Sequence, residues 1–342
     1  SGAADASGAA DAARQAGLVK PQLVRAPAKV NLLLLVGPLQ PDGYHPLLSV
    51  MAPLTLADEL EVDLTAEPHS PADDGSWGPR PSPGVAGGAR RVVVTCPGVA
   101  LGANLVDRAV DLVESETGWV LSGSIAIRKR IPMAAGMGGG SSDAAAALMA
   151  AAEAVRVAGG HPLARGELAQ LAARLGADVP FFLTPGCSLA RGRGEVLEPF
   201  RLPRQYMVLV LPEEQLSTEA VYAAYDTVAG NETAAEFHHR CEGFELAWRD
   251  LETRWLQGEV ADQDVAAKVG EIAHNDLESA AYCMVPDLTA RQKAVKASGA
   301  HVAMMSGSGP TMFGLYPSEQ AAVRAAVQLE KVGYQVVYAE VE

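Results

Sequence analysis

One segment, Pro132-Met133-Ala134-Ala135-Gly136-Met137-Gly138-Gly139-Gly140-Ser141-Ser142, restricts the fold of this chain more than any other. Glycines at 136, 138, 139 and 140 admit backbone angles closed to other residues and let another group come close to the main chain. Upstream, residues 124–129 alternate Ile125 and Ile127 with polar neighbours, which predicts a strand leading in. Downstream, the alanine-dominated stretch 143–157 predicts a helix leading out. The start of such a helix offers free N–H donors and the positive end of its dipole, so the segment suits a phosphate. Ser141 and Ser142 are placed to cap the helix or to touch a phosphate or Mg²⁺. No Gly-Lys-Ser/Thr closes the loop, and Ser141 stands where the third glycine of a Rossmann fingerprint belongs. A tight glycine turn with a serine cap would carry the same letters, and the loop alone leaves that alternative open.

The chain around it has 342 residues, enough for two domains with separate cores. A net charge of −14 argues against coating a polyanion, which needs clustered Lys and Arg, but allows one nucleotide in a local pocket. Cys96, Cys187, Cys241 and Cys283 stand far apart with no CxxC pair, so neither a disulfide scaffold nor a zinc site is expected. No apolar run reaches the length of a membrane span, and the first residues lack a signal-peptide pattern. A cytoplasmic location, with no nucleic-acid or membrane partner, is the expectation. Residues 1–20 repeat a small, weakly acidic theme and read as a disordered extension. Residues 68–90 crowd Pro, Gly, Ser and Asp and read as a surface loop.

Hydrophobic patterning supplies the other elements. The run 30–36 is apolar except for Asn31 and predicts a strand buried on both faces. Asp42-Gly43 gives turn chemistry, residues 47–64 read as extended, and 91–95 as a further strand. Helical spacing marks 104–116 and 162–175. A second domain opens with a strand at 206–211. It later runs helix (288–297), strand (302–305), glycine loop, strand (311–316), helix (318–332) and strand (335–339). That alternation suits a ferredoxin-like α+β layer.

Polar residues stranded in apolar company are the candidates for function. Lys29 and Asn31 alternate onto one face of an apolar strand and are costly to bury without a partner, unless Lys29 faces water at an edge. Asp178 lies in Gly176-Ala177-Asp178-Val179-Pro180-Phe181-Phe182, where its charge needs compensation, unless it only caps a turn. Tyr44 and His45, in Asp42-Gly43-Tyr44-His45, offer an aromatic face and hydrogen-bonding edges suited to a base, or else a plug for the turn.

These stretches, in this order, resemble the GHMP kinase superfamily. Pro-x-x-x-Gly-Met-Gly-x-x-Ser-Ser is similar to its phosphate-binding signature, and Ala26-Pro27-Ala28-Lys29-Val30-Asn31-Leu32 to its opening strand. Asp42-Gly43-Tyr44-His45 and Gly192-Arg193-Gly194-Glu195 resemble the branch that phosphorylates diphosphocytidyl-methylerythritol. The resemblance spans about residues 24–320 and includes Ser306-Gly307-Ser308-Gly309-Pro310-Thr311, similar to a third superfamily motif. It implies a two-domain α+β fold, with a ribosomal-protein-S5-domain-2-like domain at 21–200 and a ferredoxin-like domain at 201–342. The active site is expected in the cleft between them. It implies ATP and Mg²⁺, with residues Pro132, Met133, Ala134, Ala135, Gly136, Met137, Gly138, Gly139, Gly140, Ser141 and Ser142 on the nucleotide. Lys29 and Asp178 are the implied catalytic pair, and no protein ligand is assigned to the metal. Asn31, Tyr44, His45, Thr218 and Tyr222 are the implied substrate contacts, while the Asn275-Asp276-Leu277-Glu278 match implies a structural role. The implied acceptor is the 2-hydroxyl of a small molecule bearing a cytidine diphosphate, handled by a monomer or weak homodimer. Another small alcohol (mevalonate, homoserine or a sugar) is the alternative, and a nucleotide-binding regulator without activity is a further one.

Overall fold

The computed structural model describes residues 21–69, 91–100, 102 and 104–342. The extension predicted at 1–20 and most of the loop predicted at 68–90 lie outside the described residues. Along the chain the elements run β1 (Gln22–Val36), β2 (Leu47–Pro68), β3 (Val92–Thr95), α1 (Leu105–Thr117), β4 (Trp119–Arg128), α2 (Gly139–Val157), α3 (Arg165–Leu175), β5 (Ser188–Arg191), β6 (Val196–Pro199) and β7 (Tyr206–Val210). They continue with α4 (Thr218–Val228), α5 (Ala234–Leu256), α6 (Asp262–Ile272), β8 (His274–Asn275), α7 (Glu278–Met284), α8 (Asp287–Ala297), β9 (Val302–Met305), β10 (Met312–Tyr316), α9 (Glu319–Lys331) and β11 (Val336–Glu340). The architecture is α+β, as the patterning predicts.

The chain divides into two compact units that alternate along the sequence. One holds the described residues up to Ala26 with Asp58–Arg130 and Gly140–Leu183; the other holds Pro27–Ala57, Ile131–Gly139 and Thr184–Glu342. In the first unit β2 pairs antiparallel with β4, from Glu59 opposite Arg128 to Pro68 opposite Trp119. Parallel β3 flanks β4. Leu60, Val62, Ile125 and Ile127 of this sheet share a core with Val106 and Val110 of α1 and Ala144, Ala147 and Leu148 of α2. Helix α1 starts where Asn104 accepts the Val106 N–H at 3.1 Å and Asp107 reaches back to the Asn104 N–H. Helix α3 begins at Arg165, later than the spacing predicts, because Ala164 is extended and Glu167 accepts its N–H at 2.6 Å.

In the second unit the predicted apolar strand is buried on both faces. Leu33 and Leu35 belong to one core cluster, and Leu34 and Val36 to another. Consecutive side chains on a strand point to opposite sides, so a run with no polar face requires packing on each. Short β8 adds parallel to β1, with Leu33 opposite His274. It was not predicted, since two residues carry no period. The other sheet has the order β11-β7-β10-β9 with every neighbouring pair antiparallel. In chain order that places the first and third strands in the centre, the ferredoxin-like arrangement expected from the sequence.

Candidate active site

Lys29 is the centre of the second unit's polar interior. It is 5% exposed, and Asn31 beside it is 2% exposed, which rules out the edge-strand alternative. The Lys29 ammonium donates to Asn31 Oδ1 at 2.7 Å, Asn31 Nδ2 donates to Ser49 Oγ at 2.8 Å, and that hydroxyl donates to the Leu33 carbonyl at 2.6 Å. The relay crosses from β1 to β2 and satisfies a buried cation with oriented neutral groups. The Lys29 N–H donates to the Met137 carbonyl at 3.0 Å, so the strand that carries the ammonium also holds the glycine loop.

The 306–309 loop closes against the same place. Ser306 Oγ donates to the Gly136 carbonyl at 2.9 Å. A Cβ on Gly136, whose φ is +74°, would lie 2.2 Å from the Ser306 carbonyl oxygen. Only glycine fits there, for both backbone angle and space. Residues of the 274–278 stretch fasten this loop. Asn275 Nδ2 donates to the carbonyls of Met305 and Gly307, both at 2.9 Å, and Glu278 accepts the Met305 N–H at 2.7 Å. Asp276 accepts from the Val36 N–H at 2.7 Å and from Arg240. Burial alone would raise the Asp276 carboxyl, but hydrogen bonds from His274, Val36 and Arg240 outweigh it and hold the group low. Arg240 in turn grips Glu232 and the Val36 carbonyl. Sequence reasoning missed Arg240 and Ser49. The solitary Ser49 in an apolar stretch was a signal; Arg240 gave none, because its partners are scattered along the chain.

The turn before β2 presents Tyr44 and His45. Tyr44 is 53% exposed. His45 is buried by contrast: its side chain is 6% exposed, its Nδ1–H donates to the Gly37 carbonyl at 2.7 Å, and Nε2 faces Asp226 at 3.4 Å. Its ring lies 5.4 Å from that of Tyr222 and 6.1 Å from that of Tyr225. Nδ1 is therefore engaged within the protein, and Nε2 is left beside Asp226, with which it pairs only when the ring is protonated. A cavity of about 530 Å³ lies alongside, lined among others by His45, Tyr225, Asp226, Glu232 and Arg240. Thr218, at the start of α4, is 3.0 Å from Ser308 of the 306–309 loop.

From Gly140 onward, α2 belongs to the first unit. The helix begins at Gly139, so Ser141 and Ser142 lie inside its first turn and not at its cap. Ser142 Oγ is buried and finds no hydrogen-bond partner among the described residues. A Cβ on Gly140 would meet nothing within 4 Å. Neither Gly139 nor Gly140 has a positive φ, so the strained-angle argument holds for Gly136 and Gly138 only. Ala134 is left-handed at φ 51°, a non-glycine strain of the kind that gathers at functional loops. Next to the serines, Asp143 takes a hydrogen bond from Lys129 at 2.9 Å, and Lys129 also donates to Asp58 at 2.5 Å. Burial pushes the Asp143 carboxyl up to about 6 against the pull of Lys129, with Asp58 adding to the rise. Asp178 sits on the turn after α3 and is partly buried.

Comparison with known proteins fits this geometry. The family model described as "GHMP kinases N terminal domain" matches residues 104–186, and "GHMP kinases C terminal" matches 262–335. A 4-diphosphocytidyl-2-C-methyl-D-erythritol kinase of Anaeromyxobacter sp. (strain K) is 36% identical over 305 residues, covering 89% of this chain and 84% of that protein. The chain belongs to the 4-diphosphocytidyl-2-C-methyl-D-erythritol kinase family of GHMP kinases. A member from Nocardioides sp. (strain ATCC BAA-499 / JS614) is 37% identical over 318 residues, covering 92% of this chain and 95% of its own. A crystal structure of 4-(cytidine 5′-diphospho)-2C-methyl-D-erythritol kinase superposes with a TM-score of 0.65 at 31% identity, covering 93% of this chain and 98% of that one. Homoserine kinase from Cytophaga hutchinsonii shares the fold, with a TM-score of 0.61 at 17% identity over 95% of each chain.

Two outcomes follow for this GHMP kinase loop. Gly136→Ala should cost at least about 1–3 kcal/mol in chemical denaturation, from the backbone angle and the clash with Ser306. Gly140→Ala should leave stability unchanged or raise it by up to about 1 kcal/mol, since alanine is the better helix former and nothing obstructs it. Equal losses for the two would refute the steric distinction. The second outcome concerns pH. Asp143 holds its proton more tightly in the folded chain than in the unfolded one, where the usual value is 3.8. Its contribution is complete below about pH 4 and is lost as the pH rises to about 6. Melting temperatures of wild type and Asp143→Asn should show the wild type losing ground across that window and a constant gap above it. A gap constant from about pH 4 to 7 would contradict the assignment.

Proposed function

We propose that the chain transfers the γ-phosphoryl group of ATP to the 2-hydroxyl of 4-(cytidine 5′-diphospho)-2-C-methyl-D-erythritol, a step of non-mevalonate isoprenoid precursor synthesis. The observation that carries the reading is the buried Lys29 ammonium, held by Asn31 on a strand whose Lys29 N–H bonds the glycine loop. It stands in a chain whose near full-length relatives are named for that reaction.

Phosphoryl transfer demands positioning and charge neutralisation more than covalent chemistry. In this reading residues 132–142 hold the nucleotide phosphates. The start of α2 supplies N–H donors, the open position at Gly140 supplies room, and the unpartnered Ser142 hydroxyl supplies a ligand for phosphate or metal. Mg²⁺, when bound with ATP, neutralises charge on the β and γ phosphates. Asp178 takes the proton from the 2-hydroxyl as its oxygen bonds to the γ-phosphorus. The bond from that phosphorus to the β–γ bridging oxygen breaks, and ADP leaves. Lys29 stabilises the developing alkoxide, and Asn31 fixes the ammonium while keeping a second lone pair and a second N–H for substrate. Tyr44 and Tyr222 supply rings for the cytosine, and His45, whose ring lies 5.4 Å from that of Tyr222, offers Nε2 to the edge of the base. Thr218 meets the substrate from the start of α4.

A coupled assay of ADP release tests this. With the cytidylyl substrate, Asp178→Asn should lower kcat by about 10²–10⁴-fold, the range for a positioned acid or base. Turnover within about threefold of wild type would sink the assignment of the base. Faster ADP release with mevalonate, homoserine or a sugar than with the cytidylyl alcohol would replace the substrate while keeping the reaction.

A further inference from the structure

Tyr44 is held from two directions by parts of the chain distant in sequence. The Arg193 guanidinium carbon lies 3.7 Å from the centre of the Tyr44 ring, covering one face. The same guanidinium donates to Asp42 Oδ2 at 2.7 Å, while Asp42 Oδ1 accepts the Tyr44 N–H at 3.1 Å. The Arg193 hydrogen bond, helped by that N–H, holds the Asp42 carboxyl below its ordinary range. Arg193 is itself placed by the turn between β5 and β6. Its N–H donates to Glu195 at 2.7 Å, and the Gly192 carbonyl accepts the Leu47 N–H at 2.8 Å. Guanidinium over the ring and carboxylate under the backbone thus close one clamp, and Tyr44 stays half exposed within it.

An exposed tyrosine on a turn would otherwise lose rotamer freedom whenever a base stacked on it, and that ordering weakens binding. A planar cation fixed on the far face sets the ring beforehand, and Arg does this better than Lys because it stacks flat and bridges to the carboxylate.

We propose that Arg193 is a positioning residue for base recognition, presetting Tyr44 with its free face toward the cytosine. The inference rests on the proposed cytidylyl substrate.

Titration calorimetry on the full chain separates the two claims, using cytidine 5′-diphosphate, uridine 5′-diphosphate and a non-hydrolysable ATP analogue as probes. Arg193→Leu should weaken cytidine 5′-diphosphate binding about 3–10-fold and leave the ATP analogue within about twofold. Arg193→Lys should recover part of the loss. In a Tyr44→Ala background Arg193→Leu should have no further effect, which a merely structural role or a direct substrate contact would not reproduce. An undiminished effect in that background would overturn the proposal in favour of contact with the diphosphate. Tighter binding by Arg193→Leu would overturn it by showing that the guanidinium occupies the face the base needs, and an unchanged affinity would overturn it outright. If the wild-type chain binds cytidine and uridine diphosphates equally weakly, the substrate reading itself falls, and this inference with it.

Discussion

A charged ammonium in the interior of an apolar strand is the constraint around which the second unit is organised. Lys29 is almost wholly buried, so it requires hydrogen-bond acceptors set before it. Asn31 provides one, but an amide turned toward a cation must place its own N–H groups elsewhere, and Ser49 takes one of them. Ser49 then passes the demand to a backbone carbonyl. Each link is modest alone. Removing any one leaves a buried polar atom unmade, a loss of about 1–3 kcal/mol. An ordinary strand would fill these positions with leucine, and stability alone gives no reason for the relay. Its place in a strand that also bonds the glycine loop supports the charge that the proposed reaction needs.

The same economy governs the 306–309 loop. A loop of glycines and serines has few apolar contacts to hold it, so its conformation comes from polar groups outside it. Asn275 spans two of its carbonyls, Glu278 takes one N–H, and Ser306 returns a bond to Gly136. Glu278 is pushed up by burial, which its hydrogen bonds only partly offset. The role implied for the Asn-Asp-Leu-Glu stretch as structural therefore has a physical content: it fixes a loop that touches the glycine loop, and through Asp276 and Arg240 it also fixes the end of β1.

What could be read from the sequence follows from how local each signal is. The glycine loop, the run 30–36 and the alternation at the C-terminal end announce themselves within a few residues, and the fold class came from them. Helix α5 did not: across Ala234–Leu256 only Phe237, Trp248 and Leu251 are buried, too sparse a set to draw a stripe. Lys29 and Asn31 were legible as a problem, since buried polar residues need partners. The partners were not legible, because Ser49 lies on another strand and Met137 takes part through its backbone, which has no letter. His45 shows the same: its letter suggested a reading edge, and one nitrogen of that edge meets the Gly37 carbonyl, again a partner without a letter.

In the proposed reading, base recognition is divided between His45 and its neighbour Tyr44. The His45 side chain, buried near Tyr222 and Tyr225, cannot turn without breaking its bond to the Gly37 carbonyl. Tyr44, half exposed, is the group that can meet a ligand, and an exposed ring is useful only when something fixes it. The turn therefore joins a rigid residue to an adaptable one in adjacent positions, and supports the adaptable one from a second loop through Arg193. Rigidity on the buried side and a clamp on the exposed side produce the same result by different means: a surface whose shape is set before anything binds, so that little ordering is left to oppose binding.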